Sequence, residues 1–219
     1  MKELELLDKE ENKKNNTIRF INATQEIIDE EGLEVVSIRK ISQRAGFHNS
    51  TIYLYFEDLD QLIMLASMKY FREYSHSLEL QSKKHLSATE SFLSIWDLFI
   101  DTIMKKPHIF YNFFFGKRSD NLQEIMNLYY EIFPEERDKF SEEIESMYFG
   151  KNITDRCLNL LRPMIKENNH VTDENLVMLN EITVSYCKYK LMQKCQDLSL
   201  DSRQIKKDIL AVVSYITGI

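Results

Sequence analysis

The chain is predicted to be all-α, with a small N-terminal lobe of three helices joined by a longer helix to a larger helical lobe. Three observations carry the prediction. Apolar residues recur at spacings of three and four through most of the 219 residues, which lines one face of a helix. Five Gly and three Pro are too few for tight hairpins or glycine-rich phosphate loops. Start and stop signals then cut the chain into segments of helical length: Ser, Thr, Asp or Asn before an apolar run, and Gly or Pro after it. With 43% hydrophobic residues, the chain is long enough for a small domain joined to a larger one.

The elements follow in order. Residues 1–16 are mixed in charge and either extend the first helix or fray. Over 17–31, Phe20, Ile21, Ala23, Ile27 and Ile28 share one broad face, and Gly32 stops the helix. Ser37 is a natural N-cap for a short helix carrying Ile38, Ile41 and Ala45, and Gly46 sits where a left-handed turn would end it. A second short helix is expected from about His48, with Ile52 and Phe56 facing inward. Asn49, Ser50, Thr51, Tyr53 and Tyr55 cluster as hydrogen-bonding side chains around its first turns. A longer helix over 59–82 carries Leu59, Leu62, Ile63, Ala66, Tyr70 and Tyr74 in one stripe.

Beyond it, 87–105 forms an amphipathic helix with Phe92, Ile95, Trp96, Phe99 and Ile103, stopped by Pro107. A dense aromatic group follows at Phe110, Tyr111, Phe113, Phe114 and Phe115. Further helices are expected over 121–132, 135–148 and 152–166, punctuated by Pro134 and Gly150, with Pro163 placed to kink the last. Thr172 or Asp173 caps a long helix to about residue 195, and a final helix over 201–217 groups Ile205, Ile209, Val212, Val213 and Ile216. The apolar surface of these two terminal helices suits a four-helix bundle with a second copy of the chain. The expected division is 13–73 for the first domain and 74–219 for the second.

A net charge of -7 argues against nucleic acid unless the charge is unevenly distributed, because phosphate contact needs a local positive field. It is uneven. Between Ser37 and Phe56 the charged residues are Arg39, Lys40 and Arg44, with no Asp or Glu, while Glu30, Glu31, Glu34, Glu57, Asp58 and Asp60 flank the segment. A helix-turn-helix with this local basicity points to DNA.

Other functions find little support. Cys157, Cys187 and Cys195 are odd in number and lack a CxxC spacing, which argues against a disulfide framework or a zinc site. Buried thiols are expected, with redox sensing as the alternative. His76, His85 and His170 form no metal-ligand cluster in sequence, so no metal and no cofactor are expected. No Gly-rich phosphate loop, paired His or activated Ser or Cys suggests an enzyme. No apolar run reaches bilayer length and residues 1–16 lack a hydrophobic signal core, so a cytoplasmic location without membrane contact is expected.

The helix ending at Gly32, the Ser37 cap, Ile41, Ala45-Gly46-Phe47, Thr51-Ile52-Tyr53, Tyr55-Phe56 and Leu62 together resemble the N-terminal domain of the TetR family of bacterial transcriptional repressors. The resemblance covers about residues 17–62, and the length and helical remainder are also similar. It implies a dimeric regulator whose N-terminal domain binds double-stranded operator DNA and whose C-terminal domain holds a small-molecule effector. Carried over by position, it implies that Asn49, Ser50 and Tyr53 meet base edges or nearby sugar-phosphate. Ser37, Thr51 and Tyr55 would meet phosphates and His48 either, with Arg39, Lys40 and Arg44 adding local positive charge. One departure stands out: the family usually has a Lys where this chain has Leu59, which implies one phosphate contact fewer.

The aromatic band gives candidate effector contacts at Trp96, Phe99, Phe110, Phe114, Tyr129 and Tyr186, which suit an apolar, aromatic or acyl-chain ligand. His108 or Arg118 could orient a polar end. Plain core packing is the competing reading of each of these aromatics. The competing reading of the whole chain is a helical small-molecule binding module or enzyme that has lost operator binding.

Overall fold

The computed structural model describes residues 2–167 and 169–219, with side chains from residue 9 onward. Every regular element among them is helical. The chain divides into two compact units, one of Met1–Lys69 with Ile125–Glu136 and one of Tyr70–Glu124 with Arg137–Ile219.

The first unit is built on α1 (Lys2–Glu31), α2 (Ile38–Ala45) and α3 (Leu59–Ser67). α1 is regular from Lys2, so the mixed-charge N-terminal stretch extends the helix. Phe20, Ile21, Ala23, Ile27 and Ile28 are all buried, as the spacing predicts. Ser37 caps α2 by accepting from the Lys40 backbone N–H at 3.4 Å. Gly46 ends α2 at φ 75°, ψ 37°, a left-handed conformation that a β-carbon disfavours.

The next element differs from expectation: residues Asn49–Leu54 form a 3-10 helix capped by His48. Its tighter turns are closed by Thr51 N–H to His48 C=O at 3.0 Å and Tyr55 N–H to Ile52 C=O at 3.1 Å. β-Branched Thr51 and Ile52 beside Tyr53 have weak α-helical preference, and Asp58 turns the chain into α3 by capping Gln61 N–H at 2.8 Å. The inward residues are as predicted, with Ile52 and Phe56 buried.

The expected continuous helix over 59–82 is also interrupted. α3 gives way to a 3-10 turn, Met68–Phe71, before α4 (Arg72–Ser82). α3 buries every residue from Gln61 to Ser67, so it is enclosed on all sides, whereas α4 buries one face through Tyr74, Ser75, Leu78 and Gln81. The boundary between the units falls inside this turn.

The second unit contains α4, α5 (Ala88–Lys105), α6 (Pro107–Phe115), the start of α7 (Leu122–Ile132), α8 (Glu142–Tyr148), α9 (Ile153–Leu161), α10 (Leu176–Gln196) and α11 (Ser202–Thr217). Ser87 and Glu90 form a reciprocal capping box at the start of α5. The aromatic stretch after Pro107 is itself a helix with proline at its first position, where the missing N–H would have had no helical partner. Its rings form the centre of this unit: Phe71 lies 5.1, 4.4 and 5.6 Å from Phe110, Phe113 and Phe114.

Three predicted boundaries shift for local reasons. The helix expected over 135–148 is reduced to α8, preceded by a 3-10 turn at Pro134–Glu136. Ser141 stops it from starting earlier: its backbone N–H is held by Ser82 Oγ at 3.1 Å while its side chain caps Ile144. The helix expected over 152–166 leaves α geometry at Arg162–Lys166, because Pro163 supplies no N–H to the α ladder. Before α10, Thr172 and Asn175 bond reciprocally, N–H to side chain, at 2.8 and 3.4 Å. α11 begins at the Asp201 cap and ends at left-handed Gly218.

Candidate nucleic-acid interface and effector cavity

The turn after α2 is braced from α1. Arg19 Nη2 donates to Ala45 C=O at 2.8 Å, and its guanidinium lies 4.6 Å from the Phe47 ring centre. Phe47 in turn stacks on Phe20 at 4.7 Å. These contacts hold Gly46 and the following 3-10 helix against α1. Arg19 was missed by the sequence reading because its exposed position on α1 gives no periodic signal; only the fold brings it to the turn.

On that braced turn Asn49, Ser50 and Tyr53 are exposed, Tyr53 at 58%. Thr51 is half-buried. His48 is exposed, and its Nδ1 lies 2.8 Å from Ser50 Oγ and accepts from Ser50 N–H at 3.4 Å. With Nδ1 accepting, the neutral ring carries its proton on Nε2 and offers a donor there. Tyr55 is different: its ring packs 5.5 Å from Phe20 and its hydroxyl accepts from Asn16 Nδ2 at 3.0 Å. Leu54, 72% exposed, sits beside Tyr53 and was not singled out by any polar or periodic signal.

The local basicity changes once the fold is formed. Lys40 pairs with Glu31 at 2.6 Å, and Arg44 with Glu30 at 2.8 Å and Glu26 at 3.4 Å. The Arg44 guanidinium holds the Glu30 carboxyl below its usual range, and Glu30 and Glu26 hold Arg44 above its own. Arg39 is exposed and forms no ion pair among the described residues. The +3 read from residues 37–56 is thus largely offset by α1 carboxylates that the linear sequence keeps apart from it. Leu59 is half-buried at the first position of α3, and Lys13 and Lys14 are exposed on regular α1.

The expected effector residues do not converge on one site. Trp96 and Phe99 line an apolar cavity of about 20 Å³ with Tyr74, Met147, Arg156 and Cys157. That is room for about one water. Phe110 is buried in the ring cluster around Phe71. Phe114 is buried there too and lies 5.5 Å from the Arg156 guanidinium. Tyr129 belongs to the first unit, where its hydroxyl donates to Glu136 Oε2 at 2.6 Å and its ring meets Phe133 at 4.9 Å. Tyr186 is half-buried on α10, 5.6 Å below Lys190 Nζ. Much of the aromatic band is therefore filled core. His108 and Arg118 are half-buried and lie outside the lining of the Trp96 cavity.

Cys157 and Cys187 are buried and Cys195 is half-buried. Burial pushes the Cys187 thiol up to about 12 and the Cys157 thiol well above its ordinary range. Both remain neutral thiols at physiological pH, which disfavours the redox-sensing alternative. The fold also gathers a group invisible in the sequence. His76 Nδ1 lies 3.5 Å from Glu79 Oε2 and 4.0 Å from Asp138 Oδ1. Lys83 also pairs with Glu79 at 3.1 Å, and the imidazole is mostly exposed.

A braced turn that presents a short polar element gives the first unit a helix-turn-helix arrangement. The family model described as bacterial regulatory proteins, tetR family, matches residues 20–64. The chain is 34% identical over 83 residues to YvdT of Bacillus subtilis, described as an uncharacterised HTH-type transcriptional regulator. That match covers 38% of this chain and 41% of the relative. Solved structures share the fold over nearly the whole chain. RolR, crystallised with resorcinol, has a TM-score of 0.62 at 17% identity and covers 95% of this chain and 90% of its own. Thermus thermophilus FadR with lauroyl-CoA gives 0.59 at 11% identity, covering 93% and 95%. Bacillus subtilis FadR with stearoyl-CoA gives 0.55 at 15%, covering 92% and 98%. Residues 20–64 thus match the N-terminal domain of the TetR family, and beyond them the solved structures share the fold alone. No described helix is long and apolar enough to cross a membrane.

Proposed function

We propose that this protein is a homodimeric repressor that binds a pseudo-palindromic operator and is released from it by a small, largely apolar effector. The observation that carries the reading is the exposed set Asn49, Ser50 and Tyr53 on the element after Gly46, inside the matched domain. Asn can read a base edge and Tyr a phosphate or sugar, while Ser37, Thr51 and His48 add donors for the backbone. Arg39 supplies local positive charge. Lys40 and Arg44 must exchange their carboxylate partners for phosphate before they can add to it.

Dimerisation is supported by exposed apolar residues on the last two helices: Val177, Met178, Ile182 and Tyr189 on α10 and Tyr215 on α11. Lys190 on α10 pairs with Asp208 on α11 at 2.6 Å, which ties the two helices into one face. A four-helix bundle across a two-fold axis would cover those residues, and a pseudo-palindromic operator calls for recognition elements about 34–36 Å apart, one turn of DNA. The effector reading draws on the Trp96 cavity and on related folds holding a phenol or fatty acyl-CoA.

A second reading has specific support. Leu59 in place of the usual Lys, together with the carboxylate pairing of Lys40 and Arg44, would suit a ligand-binding module that has lost its operator. Footprinting on DNA from upstream of its own gene separates the two. A repressor protects two symmetric half-sites about one helical turn apart; absence of protection at low salt supports the module.

A further inference from the structure

The Trp96 cavity has an unusual chemical balance for a space so apolar. Its lining brings together Ile95, Phe99 and Met147 with Trp96 and Arg156, and no Asp or Glu contributes to it. Trp96 is 3% exposed, and its indole Nε1 is met by no nitrogen or oxygen acceptor, only by the Cys157 thiol. An indole N–H is a donor only, and a thiol sulfur satisfies it poorly in the interior. Arg156 is 2% exposed. Its Nη1 donates to Tyr148 C=O at 2.6 Å, and its guanidinium lies 5.2 Å from the Tyr148 ring centre.

The chain is shaped to admit this buried cation. A β-carbon at Gly150 would fall 2.7 Å from Arg156 Cγ and 3.0 Å from its backbone N, so glycine there lets the arginine pack close. Arg156 thereby closes the end of α8, a purely structural task. Beside the same cavity a second donor, Trp96, faces only the Cys157 thiol, a weak acceptor. A ligand oxygen carrying negative charge would satisfy the indole and meet the guanidinium.

We infer that this cavity, buried guanidinium and weakly partnered indole together form the head-group site for a small carboxylate with an apolar body, whose carboxylate is received by Arg156 and Trp96. The inference rests on the effector reading above and gives it a ligand class. The space must grow to admit such a molecule, since about 20 Å³ is far below the ~150 Å³ of a cavity that takes benzene. Leu160 marks where it can grow: it is half-buried and lines both this cavity and an outer cleft of about 730 Å³ with Gln81, Lys84 and Lys166. It lies at the end of α9, next to the 3-10 turn at Pro163.

Trp96 is the single tryptophan of the chain and reports occupancy directly. The test is a fluorescence titration of the full-length protein with benzoate and 3-phenylpropionate, each against its neutral counterpart, benzamide and 3-phenylpropanol. The expected result is a saturable change with the acids at least ~10-fold tighter than with the neutral analogues. Arg156→Met should weaken acid binding ~30-fold or more and abolish the preference, while Arg156→Lys retains part of it. Trp96→Phe, followed by calorimetry, should weaken acid binding ~10-fold. Equal or tighter binding of the neutral compounds, no saturable response to either acid, or a folded Arg156→Met that keeps the preference overturns the inference. The wild-type acid-against-neutral comparison stands even if Arg156→Met fails to fold. A parallel operator assay separates the two layers. Release by a neutral compound alone sinks this inference and leaves the repressor reading intact, whereas acid binding without any operator binding does the reverse.

Discussion

Replacing Asn49 and Tyr53 together by Ala is expected to weaken operator binding at least ~100-fold while leaving the melting temperature within about a degree of the wild type. The two side chains project from the 3-10 helix into solvent. Removing them therefore deletes no core contact, and exposed substitutions of this kind usually change stability by under ~0.5 kcal/mol. Each base or sugar-phosphate contact contributes about 1–3 kcal/mol to site recognition. Two lost in each half-site exceed the ~2.7 kcal/mol that corresponds to 100-fold. Anisotropy titration with a labelled operator and a thermal melt of the same preparation give both numbers. Affinity within threefold of the wild type would remove Asn49 and Tyr53 from the interface. A large fall in melting temperature would make them structural instead.

The opposite pattern is expected from Phe71→Ala, with a loss of about 3–5 kcal/mol in unfolding free energy. Phe71 is 1% exposed, and its ring meets those of Phe110, Phe113 and Phe114 within 5.6 Å. Truncation removes the transfer free energy of the ring and leaves a void against three rigid neighbours that cannot readily close it. The position is also the last residue of the 3-10 turn between α3 and α4, so the loss of packing frees a segment whose hydrogen-bond geometry is already weak. Urea denaturation measures it. A loss below ~1 kcal/mol would mean that the aromatic cluster is loosely packed, contrary to the close ring contacts of Phe71.

The helices of this protein were legible wherever one burial pattern and one cap governed a segment. Ser37, Gly46, Ser87, Asp201 and Gly218 each act where the sequence places a boundary, because capping is decided within three or four residues. The departures arise where tertiary packing competes with local periodicity. Tyr70 and Tyr74 fit the stripe of Leu62 and Ala66 on a continuous helix, but α3 is enclosed on all sides and α4 on one, and the chain inserts a 3-10 turn at Met68–Phe71. The electrostatics of the candidate DNA surface were misjudged for a related reason. Glu26, Glu30 and Glu31 belong to α1, and only its packing against α2 brings them onto Lys40 and Arg44. The effector residues were the least legible, since an aromatic side chain has the same spacing whether it fills a core or lines a cavity. Arg156 gave no signal at all: a single arginine in a helix is ordinarily a surface residue, and its burial depends on the close approach of Gly150.

The repressor reading turns on whether an acidic chain with most of its local basic charge paired can still grip DNA. The direct measurement is the affinity for DNA from upstream of its own gene as a function of salt, beside an unrelated sequence of equal length. Displacement of carboxylates by phosphates at Lys40 and Arg44, with Arg39 contributing from each protomer, predicts log affinity falling linearly with log salt at a slope of about -4 or steeper. The unrelated DNA should bind at least ~10³-fold more weakly. Absence of binding at low salt, or equal affinity for both sequences, would contradict the proposed function.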